Sequence, residues 1–143
     1  MAEERADLER RVEAEIVEPH EFLEQWFRAQ LDDTDADYAR FADSMAAEMR
    51  LLGPDGALTH RDDFVPALRK AHGKWRRIPG RIWIDDVELL HASGQLLTAV
   101  YKEFQEENGL VRIRHSTVVF RQRPDRPNGL EWLHLHETWA ENP

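Results

Sequence analysis

The chain predicts an α+β domain, helices first and an antiparallel meander of strands last. Two observations carry this. In the first half, apolar side chains recur at three- and four-residue spacing on a charged background. From about Arg81 onward the spacing falls to two, in four segments divided by turn residues. A βαβ protein would alternate the two patterns instead. At 143 residues, one domain with a core of useful size is expected.

The elements follow in order. In "ADLERRVEAEIV", Leu8, Val12 and Ile16 mark one helical stripe. Pro19 is expected to break or restart that helix, because the residue before a proline avoids helical geometry. Residues 1–18 therefore read as an N-terminal helical extension, and 19–143 as the domain. From Pro19 to Leu31, a second stripe comprises Phe22, Leu23, Trp26, Phe27 and Leu31. "DDTDAD" then supplies cap chemistry for a short helix bearing Tyr38, Phe41 and Met45. Ala47–Leu52 reads as a short strand ended by Gly-Pro-Asp-Gly. Asp63 is the expected N-cap of the next helix, with Pro66 in its first turn and Gly73 as its stop.

The four period-two segments are "RIWIDDVELL", "QLLTAVYKEFQ", "LVRIRHSTVVFRQ" and "LEWLHLHETW". "ASG", "EENG" and "RPDRPNG" between them read as hairpin turns. Alternation sorts their side chains onto two faces. Leu97, Ala99, Tyr101 and Glu103 share a face, as do Arg112, Arg114, Ser116, Val118 and Phe120. In the last strand Leu133, Leu135, Glu137 and Trp139 are expected to face the helices, with Trp132, His134, His136 and Thr138 on the back.

Composition excludes several function classes. A net charge of −9 argues against a nucleic-acid or anionic-membrane surface, which needs clustered Lys and Arg. The basic run from Arg69 to Arg81 is explained as a solvated helix end, where cations suit the helix dipole. The absence of cysteine removes disulfides, thiolate nucleophiles and thiolate-bound zinc. The start, "MAEERADLERRVEAE", is too charged for a signal peptide, and no run approaches a membrane span. A cytoplasmic protein is the expectation.

The element order and the ending "VVFRQRPDRPNGLEWLHLHETW" resemble the nuclear-transport-factor-2-like superfamily, in its SnoaL-like and kinase-association-domain-like branch. That branch often closes on a Trp-x-x-x-His strand, which Trp132 and His136 match, while Thr138 and Ala140 depart from it. "TAVYKEF" is similar to the family's Tyr-bearing middle strand. The resemblance implies a cystatin-like cone, with N-terminal helices packed in a curved, mostly antiparallel sheet around a pocket. It also implies a frequent homodimer through the sheet's back. Because the family includes isomerases, dehydratases, cyclases and non-catalytic binding domains, the fold chooses no chemistry.

The expected site follows from strand parity. Glu103 and Glu137 are the candidate general acid–base groups, since an apolar cone raises a carboxylate's pKa. Tyr101, Arg114, Trp139 and Leu135 are candidate ligand-binding residues on the same face, with Trp26 and Trp83 completing the apolar wall. The competing explanation is a cross-strand Glu–Arg pair without chemistry. A metal site from His115, His134 and His136 is disfavoured, because i, i+2 side chains on a strand stand roughly 7 Å apart. No metal and no cofactor is expected. His20 and His72, beside helix ends, receive no role. The function predicted is binding of a small organic molecule by a homodimer paired through the His-bearing face. A cofactor-free lyase or isomerase, and a non-catalytic oligomerisation module, are the alternatives.

Overall fold

The computed structural model describes residues 2–140. Three helices, α1 (Ala2–Phe27), α2 (Asp35–Ala42) and α3 (Arg61–Lys70), pack on one six-stranded sheet. Its strands are β1 (Met45–Leu52), β2 (Leu58–His60), β3 (Gly80–Ser93), β4 (Leu96–Glu107), β5 (Leu110–Gln122) and β6 (Leu130–Trp139). They lie in the order β2-β1-β6-β5-β4-β3, antiparallel except where β1 runs parallel to β6. The four expected strands are present, and the strand at β1 starts two residues earlier than predicted. The three-residue β2 was not foreseen; its short apolar content leaves almost no pattern. Met45 lies in β1 rather than in α2.

Pro19 does not end the first helix, which continues through it to Phe27. The missing N–H and the ring's crowding of the preceding turn disfavour this locally. Tertiary packing overrides it: Val12 and Ile16 before the proline, and Trp26 and Phe27 after it, all join one core. The N-cap of α3 is His60, not Asp63, and its side chain makes no cap bond. Pro66 therefore sits a turn deeper than predicted, with Asp62 and Pro66 both exposed, so the carbonyl left unpaired meets water. Thr34 does cap α2, accepting from the Asp37 N–H at 3.1 Å.

The C-terminal end of α1 is closed by the segment after α3. Gly73 N–H donates to the Trp26 carbonyl at 3.1 Å and Trp75 N–H to that of Phe27 at 2.8 Å, satisfying two end carbonyls of the helix. Gly73 needs its glycine for this, at φ +77°. The core is strongly aromatic: Phe22, Trp26, Tyr38 and Phe41 pack ring to ring, with Trp26 and Tyr38 centroids 4.9 Å apart.

Strand parity holds along β4 and β5, whose Leu97, Ala99, Tyr101 and Glu103 and Ser116, Val118 and Phe120 are buried toward the helices. It fails at the start of β6. The ladder pairs Val119 with His134 but Phe120 with Trp132, so Leu133 is the extra residue of a bulge. Trp132 is consequently on the inside, not on the back as predicted. It is 1% exposed, and its indole N–H donates to buried Glu15 at 2.8 Å. Further register shifts interrupt the ladder of β3 with β4 between Asp85 and Glu88 and between Leu89 and His91, irregularities of the kind that let a strand bend. Among the described residues no helix is long and apolar enough to cross a membrane.

Candidate functional site

Between α1, the sheet and the two short helices lies a cavity of about 210 Å³. Most of its wall is apolar, from Leu23 and Phe27 of α1, Phe41 of α2, Met49 and Leu51 of β1, and Leu68 of α3. The polar residues are His20, Lys74, Glu103, Gln105, Arg114 and Glu137. Lys74 is the one exposed residue of the lining and stands at the mouth.

Each polar side chain is placed by its element. Glu103 and Arg114 are direct partners across β4 and β5, and Ser116 faces Glu137 across β5 and β6, so three neighbouring strands put their charges on one inward patch. His20 reaches the same patch from α1, one turn after Ile16 on the buried stripe. Its Nδ1 lies 2.6 Å from the Ile16 carbonyl, which can only accept, so Nδ1 carries a proton. Its Nε2 lies 2.9 Å from Glu103 Oε1. Gln105 donates to the other oxygen of Glu103. Arg114 Nη1 donates to Glu137 Oε1 at 3.1 Å.

The two glutamates, each 4% exposed, are driven in opposite directions. Burial alone raises the Glu103 pKa, but His20, its hydrogen bonds and Arg114 outweigh this and hold it down at about 2. Burial lowers His20, but the adjacent Glu103 carboxylate more than compensates, so the imidazole is raised above 6.5. The pair is an imidazolium–carboxylate that donates from both ring nitrogens. Glu137 is pushed up to about 7, first by burial and then by the charge on Glu103, against the pull of Arg114. A carboxyl poised near neutrality, beside one that stays ionised, is the arrangement that separates acid and base roles in one site.

Tyr101 lies directly behind this cluster, 2% exposed, its ring 5.5 Å from His20. Burial raises its pKa well above 10 and keeps it a phenol. Its hydroxyl stands near Ser116 Oγ, yet neither makes a well-formed hydrogen bond among the described residues.

Of the residues predicted from sequence, Glu103, Glu137, Arg114 and Leu135 line the cavity. Four predicted ligand-binding residues do not, Tyr101 because it lies behind the charged cluster and three tryptophans because they stand elsewhere. Trp26 is sealed in the core, its indole shared between the carbonyls of Leu68 and Arg69. Trp83 lies on the back of the sheet, stacked on Phe104 at 5.2 Å, because the register pairs it with that outward residue. Trp139 sits beyond the cavity, with Arg112 3.9 Å and Arg114 5.0 Å from its ring and its indole bonded to Asp55. His20 and Lys74 were not anticipated. For His20 a sign was present, since it lies four residues from Ile16 and three from Leu23, on a helical stripe that its polarity obscures. The three histidines of the back face do not converge: among the described residues no cluster of three His, Asp or Glu could hold a metal.

A helix-lined cone with this topology is a nuclear-transport-factor-2-like, cystatin-like fold. A protein of that class and of unknown function from Pseudomonas aeruginosa superposes with a TM-score of 0.80 at 23% identity, covering 92% of this chain and 99% of its own. One with a cystatin-like fold from Novosphingobium aromaticivorans gives 0.58 at 10% identity, covering 87% and 80%. The sequence narrows the class. Residues 12–141 match the sucrose-6-phosphate phosphohydrolase C-terminal family, and the chain belongs to that family. A probable sucrose-phosphatase of Arabidopsis thaliana is 22% identical over 89% of this chain and 30% of its own length. The chain spans about 30% of the length of the curated relatives it matches.

Proposed function

We propose that this protein is a small-molecule-binding domain that holds one compact organic ligand in the cone. The observation carrying this is the cavity itself, an apolar chamber ending in His20, Glu103, Arg114 and Glu137. A cavity of roughly 150 Å³ holds a benzene ring, so about 210 Å³ suits a single ring with a short polar appendage. A two-ring sugar phosphate exceeds that volume, and the activity named for the sucrose-phosphatases is not transferred to this domain. Ligand-observed NMR with a mixed fragment set tests the reading. Binders should compete for one site and be lost in Leu135→Trp, which fills the cavity; binders indifferent to that change would place the site elsewhere.

A second reading is favoured by one specific group. Glu137, buried and titrating at about 7, meets the requirement for a general base working near neutrality, as in a cofactor-free isomerase or lyase. If it abstracts a proton, a bound carbon acid should exchange its α-hydrogen in D2O with the natural protein and not with Glu137→Gln. Equal exchange by both would remove the catalytic role and leave the binding one. The same proposal places the protein in the cytoplasm and pairs two copies through the back of the sheet.

A further inference from the structure

Five ionisable side chains line the cavity: His20, Lys74, Glu103, Arg114 and Glu137. The His20–Glu103 pair is internally neutral. Arg114 directs Nη1 to Glu137, but its Nε is buried without a hydrogen-bond partner among the described residues. Lys74 makes no ion pair among the described residues; its Nζ rests over the Phe27 ring at 4.1 Å and near that of Trp75 at 5.2 Å. Its backbone is not free to swing away, because Gly73 and Trp75 on either side are bonded to the last carbonyls of α1. The remaining elements around the cavity offset nothing, since α2, β1 and α3 contribute only apolar lining residues such as Phe41, Met49 and Leu68. The lining therefore carries unused cationic donors and a surplus of one positive charge with Glu137 ionised and two with it protonated, with Glu107 of β4 acting on Lys74 from outside the lining.

Four ligand types differ in how they meet this lining. A cation meets uncompensated positive charge, and a neutral molecule can accept a hydrogen bond but leaves the charge of Lys74 and Arg114 uncompensated. A dianion such as a phosphate monoester puts a second negative charge beside Glu103, which stays ionised, and that is unfavourable in a desolvated site. A monoanion offsets the single surplus charge present with Glu137 ionised and accepts charge-assisted hydrogen bonds from the lining cations. Resting on the binding reading above, we propose that the cavity takes a small monocarboxylate, its apolar body of about one ring against Phe27, Met49 and Leu68 and its carboxylate between Lys74 and the Arg114 guanidinium.

Such a ligand couples its binding to a proton. Glu137 is faced by Arg114 from β5, by Glu103 and the Tyr101 phenol from β4 and by His20 from α1, with Lys74 at the mouth. Adding a carboxylate raises its proton affinity further, because like charges disfavour ionisation. Below about pH 7 the proton is already in place; above it, binding draws one from solvent to the extent that the carboxylate raises the proton affinity of Glu137. Affinity should thus fall with rising pH, by up to about tenfold per unit for one coupled proton.

The test is calorimetry with benzoate and cyclohexanecarboxylate against benzamide, benzylamine and phenyl phosphate. The expected result is benzoate tighter than benzamide by about tenfold or more. Its binding heat should vary with the buffer's ionisation enthalpy in the sense of proton uptake. Lys74→Met should weaken benzoate about tenfold and benzamide by clearly less, because only the carboxylate loses a charge partner. Benzamide or benzylamine binding as well as benzoate overturns the monocarboxylate assignment but leaves the binding reading standing. Phenyl phosphate binding more tightly overturns the single-charge argument. Failure of every probe, with no change of cavity resonances in the NMR spectrum, removes both.

Discussion

Glu103 and Glu137 are chemically the same residue, buried to the same degree, yet one is held ionised and the other is pushed toward neutrality. His20 makes the difference, and its removal should be costly. His20→Asn takes the cation from an ionised buried carboxylate, a change worth about 3–5 kcal/mol, to be measured by urea unfolding. The signs set the window. The contribution of Glu103, whose pKa is lowered, is present above 4.5 and lost as pH falls to about 2. That of His20, whose pKa is raised, is complete below 6.5 and lost as pH rises through its folded value. The loss on substitution should be greatest between those limits and shrink on the alkaline side; a loss independent of pH would contradict the ion pair. Glu137 acts oppositely. Its folded pKa is above the unfolded one, so the native state binds the extra proton and stability declines from 4.5 up through about 7. The decline is on the order of 3 kcal/mol. Glu137→Gln should abolish most of it, leaving the variant more stable than the natural protein at about pH 8. A stability profile as steep in the variant as in the natural protein would show that another group titrates.

Among the elements, the strands were largely legible because one face is buried, which locks alternation to register. The exception is informative. One extra residue, Leu133, flips Trp132 inward, and nothing in "LEWLHLHETW" marks where the ladder slips, since Leu and Trp suit either face. Trp83 was misplaced for the complementary reason: the β3 sequence carries apolar residues on both faces, and only pairing with Phe104 decides its side. The start of β3 supplies a prediction of its own. Trp75 packs so closely over Gly80 that a Cβ there would lie 2.0 Å from the ring, and the Gly80 carbonyl accepts from Arg28 at 2.9 and 2.7 Å. Gly80→Ala should therefore destabilise by about 1–3 kcal/mol through overpacking. Chemical denaturation reads it directly; an unchanged midpoint would mean that the Trp75 segment moves aside at no cost.

For the whole molecule, the back of the sheet is the open question of assembly. It carries the Trp83–Phe104 stack with half-buried Val100, Ile113, Val119 and His134, while Trp132 is absent from it. Burial holds the His134 pKa down, helped by Arg50 and His136, so this face has a neutral centre that pairing would not have to desolvate as a charge. The homodimer proposed through it should be visible by light scattering at micromolar concentration. Val119→Asp, which puts a carboxylate on the sheet face opposite the cavity, should dissociate it. A monomer in the natural protein would retire the proposal.

What the sequence determined by itself is whatever follows from short-range periodicity. The α+β class, the four long strands and the inward set Tyr101, Glu103, Arg114 and Glu137 all rest on spacings of two to four residues. Tertiary structure decided what depends on residues distant in the chain. Helix α1 continues through Pro19 because core contacts on both sides outweigh a local penalty. His20 meets Glu103 across 83 positions, and Lys74 reaches the cavity mouth because its neighbours cap another helix. Charge state belongs to this second category as well. A glutamate in a sequence is only a carboxyl; whether it is ionised depends on which cations and how much water the fold leaves beside it.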